Sequence, residues 1–267
     1  MFEIIRSFFR SRSEPLSPSV PDGTRFYVIG DIHGRLDLYE ALIEAIERDD
    51  AQSGPADTHI ILLGDLVDRG PDSAGVIART REWQSRRNVR VLLGNHEEMF
   101  LESFENPEIL RHFLKHGGRE TIISYGLSKK QLNEMSLDDL FEKLPEIVSP
   151  AERDYIANLD EKIVAGDYLF VHAGIDPAFR IEDQQRSDML WIRDRFLEHE
   201  APFEKVVVHG HTIFDDVVNH GNRIGIDTGA FRSGVLTALV LEDDRMRTLQ
   251  TRVDGDAIAI VSNNTAL

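Results

Sequence analysis

RFYVIGDIHGR, residues 25–35, reads as a buried strand that ends in a polar turn, and a helical pattern from Leu36 to Arg48 follows it. The same order recurs twice. THIILLG (58–64) runs into DLVDRG and a helix over about 72–87, and VRVLLG (89–94) runs into NHEE and another helix. Three apolar strands, each followed by a turn and a helix, are repeated βα units, and ligands in such sheets sit beyond the carboxyl ends of the strands. Those ends carry Asp31, His33, Asp65, Asp68, Arg69, Asn95 and His96.

Outward from this core the pattern changes. Residues 98–160 space Leu and Ile three and four apart, which predicts an all-helical insertion. KIVAGDYLFVHAG then returns to strand, with Gly166-Asp167 as a hairpin turn and His172 at the second strand's end. KVVVHGHT places His209 and His211 at another strand end, and residues 216–253 read as successive antiparallel strands. The expected fold is therefore α/β, two stacked mixed sheets with helices outside. Its expected divisions are an N-terminal segment and linker (1–23), a main domain (24–255) that contains the helical insertion, and a C-terminal tail (256–267).

Composition narrows the function. Hydrophobic residues make up 41% and charged residues 29%, as in an ordinary globular chain. Cys is absent, which excludes disulfides, thiolate metal sites and a Cys nucleophile. No apolar run is long enough to span a membrane. Thirty Lys and Arg against 47 Asp and Glu give a formal charge of −17, so bulk electrostatics exclude nucleic acid as a partner. MFEIIRSFFR lacks the apolar core of a secretory signal. Phe2, Ile4, Ile5, Phe8 and Phe9 share one helical face there, open to docking on a surface or to packing on the domain.

The strand-end residues suit a pair of divalent metals. Asp31 and His33 lie two apart just past a strand, and Asp65 holds the equivalent place after the next. A carboxylate can bridge two ions, so Asp31, His33 and Asp65 serve one metal, and Asp65, Asn95, His172 and His211 the other. With Arg69 and Arg193 nearby, the site is locally positive in an acidic protein.

The blocks GDIHG (30–34), GDLVDRG (64–70) and GNHE (94–97) resemble the signature of the phosphoprotein phosphatases, within the calcineurin-like metallophosphoesterases. VHAG (171–174) and GHT (210–212) match that family's two later metal histidines, LWIR (190–193) its bacterial Trp-x-Arg segment, and IDTG (226–229) a late strand-turn. The resemblance runs from about Tyr27 to Leu241. It implies a four-layer α/β/β/α sandwich, two metal ions (manganese first, with iron, zinc or another divalent ion as alternatives) and a cytoplasmic location. It also implies in-line hydrolysis of phosphate esters by a metal-bridging hydroxide, on phosphorylated protein or a small phosphate ester. Arg69, Arg193 and Asn95 would then hold phosphate, and His96, paired with Asp68, would protonate the leaving group. A symmetrical dinucleoside tetraphosphate hydrolase, or a broad small-molecule phosphatase or phosphodiesterase, is the alternative, and Asp68 and Glu97 favour the protein phosphatase over the tetraphosphate hydrolase.

Other residues read more plainly. His209 is expected behind the ligands rather than among them. His112 and His116, four apart without a third ligand, read as a solvated helix face. Arg35 either reaches substrate or caps its loop. Arg119 reads as part of a Gly turn joining helices, and Trp83 and Trp191 as core.

Overall fold

A computed structural model describes residues 17–263. The amphipathic face at residues 2–10 lies outside the described residues.

Among the described residues eleven strands form two sheets. Thr24–Ile29 (β1), Asp57–Leu62 (β2) and Val89–Val91 (β3) are parallel, as the βα repeats require. Val235–Glu242 (β9), Arg245–Asp254 (β10) and Ala257–Asn263 (β11) extend that sheet antiparallel from β1, in the order β11-β10-β9-β1-β2-β3. The second sheet joins Lys162–Ala165 (β4), Tyr168–Val171 (β5), Val206–His209 (β6), Val218–Asn219 (β7) and Arg223–Gly225 (β8) in the order β4-β5-β6-β8-β7. Its strands β5, β6 and β8 are parallel, with antiparallel edges.

Strand alternation explains the layers. Phe26, Val28, Ile61 and Leu63 face the second sheet and pack on Tyr168, Phe170, Val208 and Ile224. Their neighbours Tyr27, Ile29, Ile60 and Leu62 face the opposite way, into the core beneath helices Leu36–Gln52 and Ser73–Gln84. On the far side Leu169, Val171 and Val207 pack under Met189, Ile192 and Phe196. The result is helix, sheet, sheet, helix. Trp83 is fully buried in the first core, as expected.

The insertion is helical, from Asn95–Glu102 through Pro150–Ala157, with a π-helical turn at Leu114–Gly118. Two expected boundaries are corrected. Residues 257–263 are not a tail: the turn at Gly255 folds β11 back along β10, from Asp254 opposite Ala257 to Thr248 opposite Asn263. Nor is the segment before β1 all linker. Val20 is buried between the sheets, and Ser19 donates its N–H to Asp167 at 3.0 Å. Trp191 is a third correction. It is 40% exposed rather than core, with its Nε1 donating to Glu98 Oε2 at 2.7 Å.

Candidate metal and phosphate site

The turns after β1, β2, β3, β5 and β6 converge on one spot, and they do so in an unusual backbone. Six described non-glycine residues have φ in the left-handed region, and five of them are His33, Asp65, Asp68, Arg69 and His211. Each such residue costs about 1–3 kcal/mol and persists only where neighbours enforce it. Glu97 is the main enforcer among those neighbours. Fully buried, it accepts N–H bonds from Gly94 (3.0 Å), Asp65 (2.8 Å), Leu66 (2.8 Å) and Val67 (3.1 Å). Burial and the nearby Asp65 charge push its carboxyl up to about 7, against the pull of those N–H groups. Gly94 is required for a different reason, because a Cβ there would stand 2.2 Å from Asp65 Oδ1.

Among the described residues two groups of side chains could each hold a metal ion: His33, Asp65 and His96, and Asp65, His172 and His211. Asp65 belongs to both. His33 and His172 place Nδ1 2.8 Å from the carbonyls of Val67 and Leu63. Each ring's proton therefore sits on Nδ1 and leaves a bare lone pair on Nε2. Burial keeps both rings neutral, pushing His33 down to about 3. Yet those Nε2 atoms face the two oxygens of Asp65 at 3.5 and 3.4 Å, acceptor against acceptor. His211 Nε2 is buried without a partner among the described residues, and its Nδ1 lies 2.8 Å from Asn95 Oδ1. Burial, then the neighbouring His172, pushes His211 down to about 2. A divalent cation supplies the positive charge this donor set lacks, so the residues fit a pair of metals.

Asp31 joins neither group. Its two oxygens accept the N–H of His211 at 3.2 and 3.0 Å. Burial and the adjacent Asp227 push its carboxyl well up. Asp227 itself, pushed up to about 6 by burial, keeps one oxygen without a partner.

Arg69 spans the first group. Its NH1 donates to His33 Nε2 at 2.7 Å and its NH2 to His96 Nε2 at 2.8 Å, while the guanidinium lies 4.8 Å over the Phe231 ring. His96 Nδ1 is 2.6 Å from Asp68 Oδ2. Burial lowers the His96 pKa, but Asp65 and Asp68 outweigh it and the net shift is upward. Arg193 is exposed, and its charge is felt by His172 and His211.

The chain matches the calcineurin-like phosphoesterase model over residues 24–232. It belongs to that family. As a calcineurin-like phosphoesterase it is a hydrolase of phosphate esters. It is 28% identical to serine/threonine-protein phosphatase 2 of Escherichia coli K12, over 79% of this chain and 90% of the relative. It is also 26% identical to an asymmetrical bis(5'-nucleosyl)-tetraphosphatase of Oceanobacillus iheyensis, over 79% and 86%. A cold-active protein tyrosine phosphatase superposes with a TM-score of 0.58 at 18% identity, over 91% of this chain and 81% of that one, a likeness of fold alone.

The remaining expectations divide cleanly. His209 lies outside both metal groups, its ring 5.0 Å from that of Phe196, and burial pushes it down to about 4. The rings of His112 and His116 lie 4.0 Å apart, tilted by 37°, on an exposed face. Arg35 bonds Asp37 and the Ala230 carbonyl, and Arg119 bonds Asn133. The sequence offered Glu97 only to tell two activities apart and Asp227 only as part of a late strand-turn, and it gave no sign of Phe231 or Thr121. An acid at the third position of a helix that begins at Asn95 was the available signal for Glu97.

Proposed function

We propose that this phosphoesterase is a dinuclear-metal phosphomonoesterase acting on phosphoserine and phosphothreonine in proteins. The observation that carries this reading is the hydrogen bond of 2.6 Å by which Asp68 holds His96, so that of the two metal-capable groups sharing Asp65 one contains an imidazole already committed to a carboxylate. A serine alkoxide is a basic leaving group, and a positioned acid is what its departure requires. Asp68 holds Nδ1–H of His96, and the imidazolium form carries the transferable proton on Nε2, the nitrogen that meets Arg69 NH2 at 2.8 Å in the structure. Arg69, which lies on the Nε2 atoms of His33 and His96, and the exposed Arg193 would hold phosphoryl oxygens. Asn95 adds a neutral oxygen at the shared centre. His33, Asp65, His172, His211 and Asn95 would hold the metals, and Asp31 would join them from its place beside the His211 amide. Manganese is the proposed metal and the cytoplasm the proposed location, both by resemblance. Bound there, the two ions supply Lewis acidity and a nucleophile at neutral pH.

A tetraphosphatase activity is the second reading, favoured by the match to the Oceanobacillus relative over most of both chains. Metal-supplemented assays on a phosphoserine peptide, p-nitrophenyl phosphate, its bis-ester and diadenosine tetraphosphate separate the two. The proposal expects the highest kcat/KM on the phosphopeptide. Preference for the tetraphosphate would overturn it.

A further inference from the structure

The sequence places the proposed acid and its partner in the βα turns. The structure adds a residue from elsewhere in the chain. Thr121 lies in helix Arg119–Ser124 of the insertion, 53 positions beyond Asp68, and is fully buried. Its hydroxyl donates to Asp68 Oδ1 at 2.6 Å, the oxygen that His96 does not use. The same hydroxyl oxygen accepts the Asp68 N–H at 2.9 Å, and Ser73 Oγ accepts that N–H at 3.0 Å. Ser73 Oγ and Thr121 Oγ1 are 2.9 Å apart.

A hydroxyl has one proton, which fixes the direction of every bond. An ionised carboxylate only accepts, so the Thr121 proton goes to Asp68 and the Ser73 proton goes to Thr121. The donors run Ser73 to Thr121 to Asp68, with His96 meeting the same carboxylate from the opposite side. Asp68 is also one of the left-handed residues, at φ 75°. The two hydroxyls thus hold its backbone and one of its oxygens together. Next to it, Arg69 donates its N–H to Gly117 O at 3.1 Å, where a Cβ on Gly117 would stand 2.6 Å from Arg69 N. The insertion grips both consecutive residues.

We propose that Thr121, backed by Ser73, is a positioning residue for the acid: it fixes the Asp68 carboxylate so that His96 presents its proton to the leaving group. This rests on the phosphomonoesterase reading above. Without the hydroxyl, Oδ1 of Asp68 is left unpaired in a dry site and the carboxylate turns away from His96.

The test compares Thr121→Val, which keeps the shape, with Thr121→Ser, which keeps the hydroxyl. On a phosphoserine peptide, Thr121→Val should lower kcat on the order of tenfold with KM unchanged, the scale of one hydrogen bond to a charged group. On p-nitrophenyl phosphate, whose phenolate leaves with little help, the loss should be several-fold smaller. Thr121→Ser should recover most of the phosphoserine rate. A second readout needs neither metal nor turnover. The His96 Nδ1 proton bonded to Asp68 should give a downfield proton resonance in chelator-treated protein, identified by its loss in His96→Asn. Thr121→Val should move or abolish it and Thr121→Ser retain it. If Thr121→Val does not fold, Ser73→Ala should show the same leaving-group asymmetry at about two- to threefold. Equal losses on both substrates, failure of Ser to rescue, or an unmoved resonance would each overturn the proposal. Wild-type protein inactive on every phosphomonoester would instead sink the phosphatase reading, and the resonance would still judge the hydroxyl.

Discussion

Replacing Glu97 with Gln tests how the site is held together. The carboxylate takes four buried N–H groups, Leu66 and Val67 on Oε1, Asp65 and Gly94 on Oε2. A Gln side chain has one oxygen and one NH2. Whichever way it turns, two N–H groups meet another donor. Each buried N–H left unsatisfied costs about 1–3 kcal/mol, so the pair costs roughly 4 kcal/mol. At about 2–4 °C per kcal/mol for a domain of this size, the melting temperature should drop by roughly 10 °C. The measurement is calorimetry of chelator-treated protein at pH 8, above the value of about 7 to which burial pushes this carboxyl, so that the charged form is compared. Amide exchange at Asp65, Leu66 and Val67 should accelerate in the same variant. A melting temperature within about 2 °C of wild type, with those amides still protected, would refute the argument that Glu97 organises the turn.

Four further outcomes follow from the same geometry. Asp65→Asn should reduce bound metal, measured by elemental analysis after manganese loading, far more than changes at the exposed His112 or His116. Arg193→Ala should weaken inhibition by inorganic phosphate by about 1.5–3 kcal/mol without altering the melting temperature, because its guanidinium is exposed and makes no ion pair among the described residues. His96→Asn should slow hydrolysis of a phosphoserine peptide by about 10²–10⁴-fold and p-nitrophenyl phosphate much less, with metal content retained. His209, pushed from 6.5 down to about 4, takes up a proton in the unfolded chain before the folded one. Its contribution is therefore full above pH 6.5 and lost as pH falls toward 4, by up to roughly 3 kcal/mol. His209→Gln should flatten that limb of a stability-against-pH curve.

The strand ends were legible because their signal is local. An apolar run ending in Gly-Asp or Gly-Asn marks both a turn and a place where chemistry sits, and Asp31, Asp65 and Asn95 could be read from that alone. Their partners were legible only where they fell at strand ends too, as His172 and His211 do. Thr121 was not, because its link to Asp68 spans 53 residues and depends on how the insertion docks, which no periodicity encodes. Trp191 misled for a related reason. A Trp in an apolar run reads as core, but here Glu98 fixes its indole nitrogen at the surface, and Glu98 is in turn paired with Arg186 at 3.1 Å. The strand at 257–263 was missed because its edge position leaves most of its residues partly or fully exposed, so the alternation that announces a strand is faint.

The left-handed residues bear on why this site draws on so much of the chain. His33, Asp65, Asp68, Arg69 and His211 together store about 5–15 kcal/mol of backbone strain, as much as the whole net stability of a typical domain. Turns of such composition do not form by local preference. They need neighbours that are already in place, and the neighbours come from three directions: Glu97 from the helix after β3, Ser73 from the helix after β2, and Thr121 and Gly117 from the insertion. A bound cation adds a fourth, by satisfying the lone pairs that now face one another across Asp65. Metal loading should therefore raise the melting temperature of the whole protein, and by less in Glu97→Gln, where the turn that presents Asp65 is loosened. Equal stabilisation in both proteins would mean that the metal groups form without the turn, and that the strain is held by the sheets alone.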